Sequence, residues 1–236
     1  MKRSHTVSRE IRRTRTSAST RKRPIAKSRV RKIFEQLGNA IPDPEVELTS
    51  SNPLELLIAT ILSAQCTDER VNTVTPALFA RYHTALEYAE AEPRELEALI
   101  RSTGFYKSKA KNIIACASLI ATRFHGRIPD NMEDLTGLPG VGRKTANVVL
   151  GSYFGQPAIV VDTHVKRVAN RLQLTESDDP TTIEYDLQNV LPKAQWTIGA
   201  QRLLLHGRYV CQARVPKCEH CVIYTMCAWD GKFVIA

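Results

Sequence analysis

Apolar residues recur along most of this chain at three- and four-residue intervals, the spacing of one helix face. Leu54, Leu57, Ile58, Ile61 and Leu62 follow that spacing behind a strong start signal. Asn52 is a good N-cap, Pro53 suits the first helical position, and Glu55 stands where a capping box places a carboxylate. Pro93 opens another helix, with Leu96, Leu99 and Ile100 in register and Gly104 as its stop. Ile113, Cys116, Ala117 and Ile120 repeat the pattern, as do Ala146, Val149, Leu150 and Tyr153, ending near Gly155. Asp179-Pro180 starts one more, whose inner face carries Ile183, Leu187, Val190 and Leu191. Strand-like alternation is not sustained anywhere, and only Ala158–Val161 passes as a short strand. The pattern predicts an all-α protein of about eight to ten short helices.

A chain of 236 residues suits one large domain or two compact ones. Gly155-Gln156-Pro157 is a plausible seam between two helical lobes, and the Cys-rich end is too short to bury a core without a staple. The longest apolar stretches, Leu54–Leu62 and Ala146–Leu150, fall well short of the roughly 18 residues that cross a membrane. The N-terminus has no apolar core of the signal-peptide kind. No membrane association is expected, and the cytoplasm is the expected location.

Charge divides the chain. Residues 1–32 hold 13 Lys and Arg against one acid, Glu10, whereas the rest holds 20 against 23. The net charge of +9 is therefore a property of an N-terminal arm, residues 1–27. Such an arm attracts polyanions in a salt-dependent way, or is simply a solvated tail. Its Ser/Thr-rich, acid-poor composition is also that of a mitochondrial transit peptide, but it lacks a convincing apolar face.

Of six cysteines, Cys66 and Cys116 fall on apolar helix faces and read as core. The others, Cys211, Cys218, Cys221 and Cys227, have the spacing C-x6-C-x2-C-x5-C. Four thiolates on one short loop suit zinc or a cubane iron–sulfur cluster, although zinc more often uses two C-x2-C knuckles and only one is present. Arg214 and Lys217 sit between the first two ligands, where a rigid loop presents them to phosphate.

The most informative run is Leu135-Thr-Gly-Leu-Pro-Gly-Val-Gly-Arg-Lys-Thr-Ala146. Gly137, Gly140 and Gly142 flank a proline just before a helix. The amides of Gly140 and Gly142, followed by Arg143, form an anion cradle at a helix mouth, which on DNA takes a backbone phosphate. The plain alternative is a helix–helix turn without a ligand. Lys144 follows directly; the helix N-terminus and partial burial both disfavour its ammonium form, as a nucleophilic amine needs, although a lysine there also simply touches phosphate.

The run Leu138-Pro-Gly-Val-Gly-Arg-Lys-Thr-Ala146 resembles the helix-hairpin-helix signature of the endonuclease III family of DNA glycosylases. Leu62-Ser-Ala-Gln-Cys-Thr-Asp68, Thr103-Gly-Phe-Tyr-Lys-Ser-Lys-Ala110, Val161-Asp-Thr-His164 and His206-Gly-Arg-Tyr209 carry the likeness from about residue 28 to the C-terminus. The resemblance implies two helical lobes with double-stranded DNA in the cleft between them. A six-helix lobe, residues 46–156, ends in the hairpin. An N-terminal helix, residues 28–45, joins residues 157–236 in a lobe carrying a [4Fe–4S] cluster on the four cysteines, whose role is to shape a DNA-binding loop. The protein is expected to act as a monomer.

The same resemblance implies a bifunctional enzyme that removes an oxidised pyrimidine and then cuts at the abasic site. Lys144 attacks C1′, the base leaves, a Schiff base forms, and β-elimination breaks the strand on the 3′ side. Asp162 stabilises the positive charge left on the sugar, although from sequence alone it reads first as the N-cap of a helix starting at Thr163. Gln65 and Phe105 match the residues that fill the gap left by the extruded base; read alone, the first is a polar helix end and the second core packing. Ser63, Asp68 and His164 match positions near the base pocket, and an isolated histidine is otherwise a core hydrogen-bond partner. Two other readings stand beside this one. An adenine-specific mismatch glycosylase shares the cluster and Asp162 but expects no lysine at 144 and a further C-terminal domain. A non-catalytic or redox-sensing iron–sulfur protein binds DNA without cutting it.

Overall fold

The structure is a computed structural model and describes residues 26–233. All but Ala26 and Lys27 of the basic arm lie outside the described residues. Among those described, eleven α-helices and no strand occur: α1 (Lys27–Ala40), α2 (Pro53–Leu62), α3 (Asp68–Arg81), α4 (Ala85–Ala89), α5 (Pro93–Ile100), α6 (Tyr106–Arg123), α7 (Met132–Thr136), α8 (Arg143–Ser152), α9 (Thr163–Arg171), α10 (Pro180–Val190) and α11 (Trp196–Tyr209). Helices α4 and α7 are five residues each. That is too short for a hydrophobic period to register, so the count exceeds the expected eight to ten. For the same reason the stretch between residues 46 and 156 holds seven helices, α2 to α8, instead of six. Ala158–Val161 has no partner strand; its Ile159 carbonyl instead accepts from Asn147 in α8 at 3.0 Å. Tyr153, expected to face inward, is half exposed.

Local chemistry explains the helix starts. Asn52 Oδ1 accepts from the Glu55 amide at 2.9 Å, while the Glu55 carboxylate reaches back to the Ser51 amide at 2.6 Å. This is a capping box displaced by one residue. Helix α2 is buried on every face: Leu56, Leu57, Ile58, Ala59, Ile61 and Leu62 are all inside. A helix apolar all round belongs in the middle of a core, and each large side chain there contributes roughly 1.5–3 kcal/mol of burial.

The buried residues form two hydrophobic cores. One gathers α2 to α8 around Leu57, Ile58, Leu78, Leu96, Ile113 and Leu135. The other gathers α1, α9, α10 and α11 around Ile33, Leu37, Val165, Ile183, Leu187 and Leu203, with Ile223 from the Cys-rich end. Helix α1 is thus packed on the C-terminal half of the chain. Arg29 in α1 secures it by donating to the carbonyls of Leu172 and Met226, both at 2.9 Å. Among the described residues no helix is long and apolar enough to cross a membrane.

Candidate active site and four-thiol loop

Helix α8 begins at Arg143 behind an N-cap at Gly142. Gly140 adopts φ +79°, and a β-carbon there stands 2.9 Å from the Asn112 side chain, so both backbone and space demand glycine. At Gly142 an added β-carbon meets nothing within 4 Å, and the residue is exposed. The first glycine makes the turn; the second leaves the helix mouth open to an anion.

Lys144 is the second residue of α8. It is exposed, contrary to the partial burial expected from its position, in the first turn of the helix. It nevertheless lines a cavity of about 90 Å³ between the two cores. From the first core that cavity takes Thr60, Ser63, Asp68, Lys144 and Val148; from the second, Asp162, Ala200, Leu204 and Arg208. Asp162 is the N-cap of α9, accepting from the Val165 amide at 2.7 Å. The capping role read from sequence is therefore real, and it fixes the carboxylate on the wall it shares with Lys144.

Asp68, the first residue of α3, stands beside them. Burial is the main cause that raises its carboxyl above the ordinary carboxylate range; Lys144 pulls it down, Asp162 pushes it up, and His164 pulls it down. Arg208 in α11 pairs with Asp68 at 2.9 Å and with Glu47, and the Tyr209 hydroxyl donates to Glu47 as well. This network ties the segment before α2 and the start of α3 to α11, closing one side of the cavity. Ser63 is the C-cap of α2 and donates to the Thr60 carbonyl at 2.9 Å.

Three expected contacts lie elsewhere. Arg143, placed on phosphate by its position beside Gly142, instead donates to both oxygens of Glu184 in α10, at 2.7 and 2.8 Å, and lies over the Tyr185 ring. Glu184 is buried, and a buried carboxylate needs such a partner; the pair fastens the hairpin to the second core. His164 stands behind the cavity wall, close enough to act on Asp68: its Nδ1 contacts Arg167 at 3.1 Å, and Gly207 lets it pack against α11. Cys116 is fully buried as expected, whereas Cys66 is half-buried in the turn after α2 and not on the helix.

Gln65 and Phe105 share an uncommon backbone state. Both are exposed, Phe105 at 67%, and both have positive φ, 53° and 48°. Left-handed backbone at a non-glycine residue costs of order 1 kcal/mol or more and concentrates at functional sites. An exposed phenylalanine held this way is not core packing.

Cys211, Cys218, Cys221 and Cys227 form no disulfide. Burial first, and the other three cysteines after it, push the Cys221 thiol up to about 11, so the four are electrostatic neighbours. Cys211, Cys221 and Cys227 pack against the second core, and Cys218 is buried. Arg171 Nη1 lies 3.2 Å from Cys211 Sγ, and His206 Nε2 lies 3.7 Å from Cys221 Sγ. His206 is buried, which pushes its imidazole down to about 4 and leaves it neutral. A guanidinium donor aimed at sulfur suits a thiolate that carries an inorganic core. No three His, Cys, Asp or Glu side chains among the described residues converge as a site for a single metal ion. Arg214 and Lys217, between the first two cysteines, are exposed.

The acids Glu45 and Glu47 and the cation Arg208, all on the cavity wall, carry no local sequence signal; only His206-Gly-Arg-Tyr209, as a matched run, pointed to that stretch.

Residues 58–193 match the model of the HhH-GPD superfamily base excision DNA repair proteins. An endonuclease III from Synechocystis sp. is 48% identical over 212 residues, covering 89% of this chain and 97% of that protein. Two solved structures superpose with a TM-score of 0.83 at 43% identity, each over 87% of this chain: a non-covalent endonuclease III–DNA complex, of which 96% is covered, and a trapped endonuclease III–DNA covalent intermediate, of which 97% is covered.

Proposed function

The chain belongs to the HhH-GPD superfamily of base excision DNA repair proteins and, within it, to the endonuclease III family, and from that premise we propose that it excises oxidised pyrimidines from double-stranded DNA and cuts the strand through Lys144. As a member it is a DNA glycosylase and abasic-site lyase. The observation that carries the finer reading is the single small cavity on which Lys144 and Asp162, from different cores, both open. A nucleotide swung out of the duplex presents C1′ to the Lys144 amine on one side and to a carboxylate on the other. The C1′–base bond breaks as the C1′–Nζ bond forms, and Asp162 offsets the positive charge that gathers on the sugar. Nζ gives one proton to the departing base and its last to O4′ as the C1′–O4′ bond opens, which leaves a Schiff base; loss of a C2′ proton from it expels the 3′ phosphate and leaves the nick, and water then hydrolyses the Schiff base to free Lys144.

Gln65 and Phe105 fill the space the nucleotide leaves, and Gly140, Gly142, Arg214 and Lys217 grip phosphate. Arg143 joins them from beside Gly142: its Nε and Nη2 are held by Glu184, and its side chain is still 38% exposed. We read residues 28–45 with 157–236 as one lobe and 46–156 as the other, acting as a monomer in the cytoplasm on the nucleoid. Incubation with thymine-glycol duplex and with abasic duplex should give a strand carrying a β-elimination end. Intact strands from both, with DNA still bound, would leave the non-catalytic reading standing; cleavage confined to adenine mismatches would favour the mismatch reading.

The four cysteines fit a [4Fe–4S] cluster: four soft donors, an apolar wall, and an Arg171 N–H directed at the Cys211 sulfur. The group would hold the Arg214–Lys217 loop in shape and takes no part in the excision. The purified protein should be brown, with iron and sulfide near four each per chain, as a [4Fe–4S] core requires. A colourless protein with one zinc overturns the cluster.

A further inference from the structure

Lys109 is the buried cation that the site leaves unused. It lies in the first turn of α6 and is only 5% exposed. Its ammonium donates to the Leu62 carbonyl at 2.7 Å and to the Thr103 carbonyl at 2.8 Å. Leu62 is the last residue of α2, and Thr103 is the last residue of the 3-10 turn Arg101–Thr103. Both carbonyls therefore belong to helix ends, where acceptors lack an intrahelical partner and the negative pole of the helix attracts a cation. Gln65 stands three residues beyond the first anchor and Phe105 two beyond the second. The Lys109 amide closes the connection by donating to the Phe105 carbonyl at 3.0 Å.

We propose that Lys109 is a positioning residue that clamps the two loops bearing Gln65 and Phe105 into one unit, so that both side chains enter the duplex together. This rests on the reading of those two residues as fillers of the vacated space. Two charge-assisted bonds to buried carbonyls are strong, and leaving the carbonyls unmatched is costly. Two left-handed residues on separate loops persist only where their surroundings over-determine them, and one cation serves both.

The test compares two substrates in single-turnover assays: a paired duplex with an oxidised pyrimidine, which must be opened, and a preformed abasic site in a single strand, which need not be. Gln65→Ala and Phe105→Ala should each slow the first and spare the second. If neither does, the filler reading itself fails, and the clamp with it. If both do, their double variant should lose about as much as the worse single one, because a clamped pair acts as a unit; losses that multiply overturn the clamp. Lys109→Met should slow the paired substrate about tenfold or more while changing the single-strand substrate by less than about threefold, with Lys109→Arg recovering part of the loss. Equal losses on both substrates in a folded Lys109→Met protein, or no loss, overturn it. Should Lys109→Met not fold, the double variant, made with Lys109 intact, decides alone.

Discussion

Lys144→Ala should abolish the covalent adduct trapped by borohydride on damaged duplex and should lower strand cleavage on the order of 10³-fold or more. The size follows from the role. Without an amine at the cavity wall, no other lysine takes its place there, since Lys144 is the only lysine among the lining residues. The fold should be unaffected: Lys144 is exposed, and alanine is the best helix former. DNA binding should weaken modestly, as expected for one lost cation near phosphate. Melting, binding and trapping measured together separate the chemistry from the scaffold. An adduct still trapped in Lys144→Ala would move the nucleophile elsewhere.

The exposure of Lys144 changes how its reactivity is understood. Sequence position suggested an amine desolvated in the free protein. The structure leaves it open, so water is excluded only when DNA covers the cleft, and desolvation becomes part of substrate binding. The placement of Lys144 on α8 was legible because glycine, proline and helix period act locally. Its companions were not. Asp68 and Arg208 are 140 positions apart in the chain and meet only because α3 and α11 flank the same cavity.

Arg143 shows the converse limit. Its place beside Gly142 made phosphate the natural partner, and nothing within the hairpin argues otherwise. The competitor, Glu184, lies 41 residues away in another core, buried by the packing of α10. A buried carboxylate needs a partner, since leaving it unpaired costs several kcal/mol, and it fixes one edge of the nearest guanidinium. Asp162 was the opposite case: the cap and the functional reading described the same geometry, and both were visible in Val161-Asp-Thr-His164.

An observed cap and a proposed charge on one carboxylate make Asp162→Asn the sharper of the two active-site variants. Asparagine caps a helix as well as aspartate does, so the bond to the Val165 amide should survive and the melting temperature should hardly move. What disappears is one negative charge on the cavity wall. Turnover should fall on the order of 10²–10³-fold, the usual loss when a single group facing transition-state charge is removed. Affinity for a duplex carrying a non-cleavable abasic analogue should stay the same or rise, because a carboxylate facing DNA repels phosphate. The neighbouring carboxyl supplies an internal check. Asp162 is one of the charges that raise Asp68; neutralising it should lower the Asp68 pKa, so Asp68 stays ionised to lower pH than in the parent protein. Asp162→Ala differs in the scaffold: it removes the charge and the cap together and should cost about 1 kcal/mol of stability as well. Unimpaired turnover in Asp162→Asn would remove the carboxylate from the chemistry and leave it only its place at the head of α9.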